Sequence, residues 1–259
     1  MILYHGDPNG PSLTVLAALE ESGLAVECRA IDLLAGERHA LPGISERVAL
    51  DMSVEGEGPV LVCGGEAMTD AIFIAQFLDR QAGHCGLQPR DPHSHWQMMM
   101  WCRQVTERLS PAVALLGNLA NSRDRLRAMA DADFTRLVEA VASADLRERW
   151  IALRDGDPDP AQVQDSMAKI DEFAARVESR LEGGRGWLIG GFSIADLATY
   201  AWMTGAVLLR EEAFAGKPRL EAWLRRAGGR DCVRKALARS KAADPRRSFA
   251  PGPEINRWG

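Results

Sequence analysis

The stretch Gly58-Pro59-Val60-Leu61-Val62-Cys63-Gly64-Gly65-Glu66-Ala67-Met68-Thr69-Asp70 decides the fold of the first third of the chain. Its apolar run at residues 59–62 predicts a strand, and Gly64-Gly65 predicts a hairpin turn into Ala67-Met68. After Asp70, apolar residues recur at helical spacing, which predicts that a helix begins there. The stretch therefore encodes a β-hairpin followed directly by a helix.

Before the hairpin, the sequence predicts a strand, a helix and a second strand. Residues 2–4 form a short apolar strand, and Ser12 is the N-cap or a first-turn residue of a helix that ends at Gly23. Residues 26–33 then read as the next strand. This alternation is typical of an α/β domain, and its order matches a thioredoxin-like domain.

After a linker rich in Gly, Pro and polar residues, no strand pattern recurs. Helical periodicity is present at residues 96–118, 131–154, 160–181, 193–209 and 218–227. We therefore expect a thioredoxin-like N-terminal domain of residues 1–82, a linker of residues 83–95 and an all-α C-terminal domain of residues 96–259.

The composition predicts a sizeable buried core and no nucleic-acid or membrane partner. Of the 259 residues 46% are hydrophobic, and the net charge is −5 with a pI of about 5.6. The cysteines form neither a CxxC pair nor a metal-ligand spacing, so we expect no disulfide scaffold and no metal site. Asp196 interrupts the apolar stretch 187–209, which favours a buried helix over a membrane span, and the N-terminus lacks a secretory signal pattern. A cytoplasmic location is therefore expected.

Two segments around the hairpin resemble the glutathione transferases. Residues 52–61 are similar to the N-P-x-G-x-V-P-x-L segment of that superfamily, and Thr69-Asp70-Ala71-Ile72 falls where it has an acidic residue, Ser and Ile. The resemblance implies a cis Pro59 and backbone contacts from Gly58 to the cysteinyl part of glutathione. It also implies that Asp70 accepts the γ-glutamyl ammonium, while the amides that open the helix face the γ-glutamyl carboxylate.

By this resemblance, the glutathione-binding residues are Gly58, Pro59, Thr69, Asp70 and Ala71. This sequence departs from the superfamily's pattern at three places. Ala71 stands where a serine hydroxyl is expected, which removes a hydrogen bond to a charged carboxylate worth ~1.5–3 kcal/mol. Gly58 replaces Val, and Ser-Val at residues 53–54 replaces Asn-Pro. Glutathione binding is therefore the expectation that most needs measurement.

Ser12 is the residue expected to hold the glutathione thiolate. A free thiol with a pKa of about 8.5 is mostly protonated at neutral pH, and a hydroxyl donor at the positive end of a helix would stabilise the thiolate. Serine-type glutathione transferases carry that hydroxyl just after strand 1, where this chain has Ser12, although a plain helix cap would look the same. Tyr4 is a rival donor that better fits a structural role, and His5 either lines the pocket or is solvated. No cysteine lies between His5 and Val15, which argues against chemistry on a protein thiol.

The helical part contains Gly191-Phe192-Ser193-Ile194-Ala195-Asp196-Leu197, which resembles the folding motif of the glutathione transferase C-terminal domain. Ser193 and Asp196 form an S-x-x-D capping box at the start of a helix. Asp196 is therefore expected to be structural rather than catalytic.

Other helical segments resemble the bacterial β-aryl-etherase branch of the superfamily, which cleaves lignin-derived aromatic ethers. The likeness lies at residues 96–101, at Asp133-Phe134 and at residues 150–156. It implies that glutathione thiolate attacks the carbon that bears an aryloxy group next to a ketone and displaces a phenolate. The side chains of residues 98–101, Met-Met-Met-Trp, either line an aromatic-substrate pocket or form a core stripe.

Three functions stay open at this point. The first is an etherase-like transferase that acts on an aromatic ether. The second is a catalytically impaired partner subunit beside an active paralogue, suggested by Ala71, by Gly58 and by the lost Asn-Pro pair. The third is a general detoxifying transferase for electrophilic aromatics, which would use the same residues. The resemblance also implies a dimer, either a homodimer or a heterodimer with a paralogous subunit.

Overall fold

A computed structural model describes residues 1–41, 44 and 56–252. Within these ranges, four short strands form one mixed sheet in the order β2-β1-β3-β4. They are β1, Ile2–His5; β2, Glu27–Ala30; β3, Val60–Cys63; and β4, Glu66–Met68. β1 pairs in parallel with β2 and antiparallel with β3, and β3 and β4 form an antiparallel hairpin. Residues 52–55 of the transferase-like segment lie outside the described ranges.

Two helices complete the N-terminal part. Helix α1, Gly10–Ser22, connects β1 to β2, and helix α2, Ala71–Gln81, follows β4. The two helices pack against each other over the sheet residues Leu3 and Leu61, which are buried. The predicted thioredoxin-like order of elements is thus confirmed.

The second predicted strand, residues 26–33, is longer than the strand that forms. β2 ends at Ala30, and the Asp32 carboxylate then accepts hydrogen bonds from the amides of Leu34 and Ala35 at 3.0 and 3.2 Å. These bonds fold Leu33–Ala35 into a 3₁₀ turn. A side chain that captures nearby amides in this way competes with the β-ladder, so the strand stops early.

The C-terminal part is built of helices, as predicted. A first long helix runs from Pro92 to Arg127 and contains two π segments. Its parts are α3, Pro92–Gln104; a π segment, Val105–Leu109; α4, Ser110–Gly117; a second π segment, Asn118–Ser122; and α5, Arg123–Arg127. The later helices are α6, Asp131–Ala140; α7, Ala144–Asp155; α8, Pro160–Arg180; α9, Ile194–Leu209; α10, Pro218–Gly228; and α11, Asp231–Leu237.

The single helix predicted for residues 131–154 is wrong, because the structure has two helices there. Val141 leaves the helical region with φ −79° and ψ 106° and ends α6. The Ser143 hydroxyl then accepts a hydrogen bond from the Leu146 amide at 3.4 Å and caps α7. The break is set by a serine cap, which apolar periodicity does not reveal.

The capping box at the start of α9 is confirmed. The Ser193 amide donates to Asp196 Oδ2 at 3.1 Å, and the reciprocal bond from the helix amide to the Ser193 side chain is also present. Asp196 Oδ1 additionally accepts hydrogen bonds from the Leu188 amide and from Trp223 Nε1, at 3.1 and 2.9 Å. Desolvation by burial raises the pKa of Asp196 to about 6. Asp196 thus connects the start of α9 to the segment at Leu188 and to α10 by hydrogen bonds, which is a structural role.

One large hydrophobic core runs from the sheet into the helical part, and a second, smaller core lies among α5, α6 and α7. The large core joins Leu16 of α1 to Met203 of α9, while Trp150 and Phe134 belong to the smaller one. The proposed division at residues 82 and 95 stays a prediction. In the described part of the chain, no helix has both the length and the apolar character needed to cross a membrane.

Candidate active site

A cavity of about 580 Å³ lies where the loops after β1 and β2 meet the helical part. Residues 9–12 at the start of α1 form one wall, and Leu33 and Trp202 face the same space from the β2 loop and from α9. The volume is in the range of small-molecule sites. The cavity is therefore the candidate active site.

Ser12 lies in this cavity in the first turn of α1. The helix begins at Gly10 and its N-cap is Asn9, so the alternative that Ser12 is only the N-cap is wrong. Ser12 is 2% exposed, and its Oγ accepts a hydrogen bond from the Gly6 amide at 3.1 Å. Because the hydroxyl accepts that bond, its own proton can be donated to an anion. The α1 N-terminus adds a positive electrostatic potential at the same place.

The two rival side chains on β1 do not line the cavity. The Tyr4 hydroxyl accepts a hydrogen bond from Arg29 Nη1 at 3.1 Å on the exposed side of the sheet, in line with a structural role. His5 is buried, so the expectation that it is solvated is wrong. Its Nδ1 lies 2.7 Å from the Gly6 carbonyl oxygen, and burial lowers the pKa of the ring. A neutral His5 thus supports the turn that presents Ser12.

The Gly58–Pro59 bond is trans, because the described part of the chain contains no cis peptide bond. The expectation of a cis Pro59 is therefore wrong. The Gly58 carbonyl oxygen accepts a hydrogen bond from Arg38 Nε at 3.0 Å, and Arg38 is itself buried. Neither Gly58 nor Pro59 lines the cavity around Ser12. The carbonyl that the resemblance assigned to glutathione thus already accepts one hydrogen bond from within the protein.

Thr69, Asp70 and Ala71 lie together at the N-terminus of α2, outside the lining of the cavity. Asp70 has φ 68° and ψ 113°, an unusual conformation for a residue with a side chain. Its Oδ1 accepts hydrogen bonds from the amides of Ile72 and Phe73 at 2.9 and 3.3 Å. Such backbone strain costs about 1–3 kcal/mol and clusters at functional sites, which favours a role for this helix start.

None of residues 98–101 lines the cavity around Ser12, and Met100 is exposed at the surface. Met98 and Trp101 are buried in the large core, and Trp101 Nε1 donates to Thr199 Oγ1 at 2.9 Å. The core-stripe alternative therefore fits Met98, while Trp101 also lines a second cavity beside Trp96 and Met100.

Glu57 is a cavity residue that sequence reasoning missed. It is 4% exposed, and its Oε1 accepts a hydrogen bond from Trp150 Nε1 at 2.8 Å and lies 2.6 Å from His39 Nε2. Oε2 is buried and has no hydrogen-bond partner among the described residues. A glutamate between two glycines gives no periodic signal, and its partners are far away in sequence.

The C-terminal strap, residues 248–252, was also missed, and it forms another wall of the cavity. Its consecutive carbonyl oxygens all accept hydrogen bonds. The donors are Asn9 Nδ2 to Ser248 at 3.0 Å, Ser122 Oγ to Phe249 at 2.8 Å, Asn118 Nδ2 to Ala250 at 2.8 Å, the Glu57 amide to Pro251 at 2.9 Å and Arg149 Nη1 to Gly252 at 2.8 Å. The strap is thus fixed to both parts of the molecule.

Phe249 anchors the strap in a notch made by two glycines. The side chain is 5% exposed, and a Cβ on Gly117 would lie 2.4 Å from its ring, while one on Gly205 would lie 2.9 Å away. Any larger residue at either position would displace the ring. The close fit explains why glycine is needed at both places.

The βαβ unit with its hairpin, followed by a helical second part, has the fold of the glutathione transferases. No family model matches the chain. The chain is similar to Protein LigF of Sphingobium sp. (strain NBRC 103272 / SYK-6), with 27% identity over 254 residues that cover 93% of the chain and 95% of LigF. LigF is thus a relative along nearly the full length.

Solved structures agree with this fold. The crystal structure of Beta-etherase LigF from Sphingobium sp. strain SYK-6 matches with a TM-score of 0.79 and 24% identity, over 92% of this chain and 99% of LigF. A glutathione transferase from Burkholderia graminis, with two glutathione molecules bound per subunit, matches with a TM-score of 0.64 and 20% identity, over 93% of this chain and 88% of that one. The predicted fold and the predicted resemblance are both confirmed.

Proposed function

We propose that this protein is a glutathione-dependent transferase that cleaves β-aryl ethers of aromatic ketones. The observation that carries the proposal is the buried Ser12 hydroxyl, which lies in the cavity with its acceptor side held by the Gly6 amide. A full-length resemblance to LigF, which is described as a beta-etherase, supports the choice of reaction.

The proposed reaction is a substitution at carbon. Glutathione loses its thiol proton to solvent, and the Ser12 hydroxyl donates a hydrogen bond to the resulting thiolate. The sulfur attacks the carbon that bears the aryloxy group next to a ketone, so that a C–S bond forms and the C–O bond breaks. The electron pair leaves on the phenolate oxygen, which takes a proton from water. No oxidant or reductant is consumed.

Part of the cavity wall is apolar and suits an aromatic ring, while charged side chains such as Asp32, Arg125 and Lys241 line other parts. Trp202, Phe249 and Leu33 supply flat or branched apolar surface beside Ser12. Aromatic and aliphatic side chains bury ring surface favourably and also exclude water from the thiolate. The same walls would accept other electrophilic aromatics, so a general detoxifying role differs only in the preferred substrate.

Glutathione is proposed to extend from Ser12 toward the start of α2, where Thr69, Asp70 and Ala71 lie. The strained backbone of Asp70 supports this placement. The Gly58 carbonyl oxygen already accepts a hydrogen bond from Arg38 Nε, so a cysteinyl amide would have to share this oxygen with Arg38. The absence of a side-chain hydroxyl at Ala71 is the observation that favours the second candidate, a partner subunit with weak glutathione binding.

A dimer is also proposed. Phe73 of α2 and Trp96 and Met100 of α3 are large apolar side chains that are 59%, 57% and 36% exposed. These helices are consecutive in the chain, and large exposed apolar side chains are typical of interaction surfaces. All five cysteines are free thiols at described positions, which supports the expected reducing, cytoplasmic location.

The test is an incubation of the purified chain with glutathione and an α-aryloxy acetophenone. We expect release of the phenol and formation of the glutathione thioether, both measured by mass spectrometry, and calorimetric binding of glutathione. Glutathione binding without product would favour the partner-subunit candidate. No glutathione binding at millimolar concentration would contradict the transferase proposal itself.

A further inference from the structure

We propose that Asn9 is a positioning residue for the reaction, because its side chain ties the loop that presents Ser12 to the C-terminal strap. The inference rests on the proposed function, in which the Ser12 hydroxyl donates a hydrogen bond to the glutathione thiolate. Asn9 acts through Ser12 and does not itself contact the sulfur.

Asn9 is a buried N-cap residue whose side chain does not cap its helix. It stands at the N-cap of α1 and is 6% exposed. An asparagine at this position ordinarily accepts a hydrogen bond from an amide in the first turn of the helix. Within the described chain, the Asn9 side chain makes no such capping bond. Its Nδ2 group instead donates to the Ser248 carbonyl oxygen at 3.0 Å. The side chain therefore serves a contact between two distant segments.

The loop that contains Asn9 is held at a second point by Asp7. Asp7 Oδ1 accepts hydrogen bonds from the amides of Lys241 and Ala242 at 2.8 and 3.3 Å, and from the Ser240 hydroxyl at 3.1 Å. These donors lie shortly before the strap in the sequence. The loop between β1 and α1 is thus fixed at two points to one segment from the other end of the chain.

The two anchors lie between the groups that orient the Ser12 hydroxyl. Ser12 Oγ accepts a hydrogen bond from the Gly6 amide at 3.1 Å, and both Asp7 and Asn9 stand between these two residues in the chain. A displacement of this loop would move the Gly6 amide relative to Oγ and would turn the hydroxyl proton. Because hydrogen bonds weaken steeply when they are misaligned, and those to charged groups are the strong ones, thiolate stabilisation should depend on Asn9.

Asn9 is a cleaner test of this idea than Asp7. Asp7 lines the cavity with a negative charge, so its replacement would change the thiol pKa through charge as well as through position. Asn9 is neutral, and so are its replacements by alanine and serine. Variants at Asn9 therefore report on position.

The experiment measures the pKa of the bound glutathione thiol by its ultraviolet thiolate absorbance. The full-length protein is used at a glutathione saturation that is established by calorimetry. In Asn9→Ala we expect the pKa of the bound thiol to lie at least about half a unit above the wild-type value, because the Ser12 donor is less well aligned.

Asn9→Ser separates positioning from helix stability. Serine is a strong N-cap residue, so α1 should stay stable, but its side chain lacks the amide group that donates to Ser248. We expect the same rise in the pKa of the bound thiol as in Asn9→Ala. A rise in Asn9→Ala that Asn9→Ser reverses would show that only the stability of α1 matters, and would overturn the proposal.

Asn118→Ala is the matched control for the strap. Asn118 Nδ2 donates to the Ala250 carbonyl oxygen of the same strap at 2.8 Å, but from the long helix rather than from the Ser12 loop. We expect Asn118→Ala to keep the wild-type pKa of the bound thiol. Asn9→Ala is also made in the Ser12→Ala protein, where we expect no further change, because Asn9 then has no hydroxyl to position.

The remaining outcomes decide between the inference and the proposed function. A wild-type pKa of the bound thiol in both Asn9 variants would overturn the inference. An equal rise in Asn118→Ala, or an undiminished effect of Asn9→Ala when Ser12 is absent, would overturn it as well. An unshifted thiol pKa in the wild-type complex would contradict the proposed function itself, and the inference would fall with it.

Discussion

At the scale of single residues, the site depends on a few polar groups buried in apolar surroundings. The resemblance to serine-type glutathione transferases pointed to Ser12, and the structure places Ser12 in the first turn of α1, where it lines the cavity. Its role toward a thiolate stays a prediction. Glu57 could not be predicted in the same way. Its environment is made by His39, Trp150 and Pro251, which only the tertiary fold brings together.

Ala71 is a residue at which function can be gained. Ala71→Ser restores a hydroxyl beside the first amides of α2, where the γ-glutamyl carboxylate is proposed to bind. We expect glutathione to bind more tightly by up to about tenfold for each 1.4 kcal/mol recovered, measured by isothermal titration calorimetry. Ala75→Ser on the same helix is the control, because Ala75 is fully buried in the core and away from the helix start. An unchanged affinity in Ala71→Ser would show that the γ-glutamyl site lies elsewhere.

At the scale of elements, hydrogen-bonded connections decide where helices and strands stop. Apolar periodicity predicted β1, β3, the hairpin and most helices, since those elements bury one face. It failed where a polar side chain sets a boundary, as Asp32 does after β2 and Ser143 does before α7. It also gave no signal for the C-terminal strap, which is held by its backbone carbonyls.

The Asp196 cluster should be the most sensitive point of the helical part. Asp196→Ala leaves the donors of Leu188, Ser193 and Trp223 without their acceptor in a fully buried place. At about 1–3 kcal/mol for each orphaned buried donor, we expect the free energy of unfolding to fall by at least about 3 kcal/mol in urea titrations. Asp231→Ala, at an exposed helix start, should change it by less than about 0.5 kcal/mol. Similar losses in the two variants would contradict this account.

The same carboxylate should make stability depend on pH. Desolvation raises the pKa of Asp196 to about 6, so the native state binds this proton more tightly than the unfolded chain does. The stabilisation is then fully present below the unfolded pKa of about 3.9 and is lost as the pH rises through about 6. As the pH rises from about 4 to about 6, the free energy of unfolding of the wild-type protein should fall relative to that of Asp196→Asn. If the difference in free energy of unfolding between the two proteins does not change with pH, this coupling is refuted.

The C-terminal strap should open locally when its anchor is removed. In Phe249→Ala the glycine notch at Gly117 is left empty, so the hydrogen bond from the Glu57 amide to Pro251 should break more often. We expect amide exchange of Glu57, followed by NMR, to accelerate at least about tenfold while amides of α9 keep their protection. Ile151→Ala, at an exposed position on α7, is the control. Unchanged exchange at Glu57 in Phe249→Ala would mean that the strap does not depend on this anchor.

At the scale of the whole molecule, the cavity exists because the two parts of the chain meet over one shared core. The sequence predicted both parts and their order, since each carries its own periodicity. It could not predict that residues 248–252 return to the sheet side and close the cavity, because such a contact between distant segments leaves no local pattern.

The proposed dimer is also a property of the whole molecule. We expect sedimentation velocity to show a dimer for the wild-type protein and a monomer for Trp96→Lys, because a charge would be buried on an apolar interface. Arg103→Lys, on the same helix, keeps its charge and should remain dimeric. A wild-type monomer at all protein concentrations, or an unchanged dimer in Trp96→Lys, would contradict this interface.

The central claim is that Ser12 stabilises a glutathione thiolate in the cavity. The most direct test follows the ultraviolet thiolate absorbance of bound glutathione against pH, in the wild-type protein and in Ser12→Ala, at saturation established by calorimetry. The account predicts that the bound thiol has a pKa at least about one unit below the free value of about 8.5 in the wild-type protein, and returns toward that value in Ser12→Ala. An unshifted pKa in the wild-type complex, or the same lowered pKa in both proteins, would contradict it.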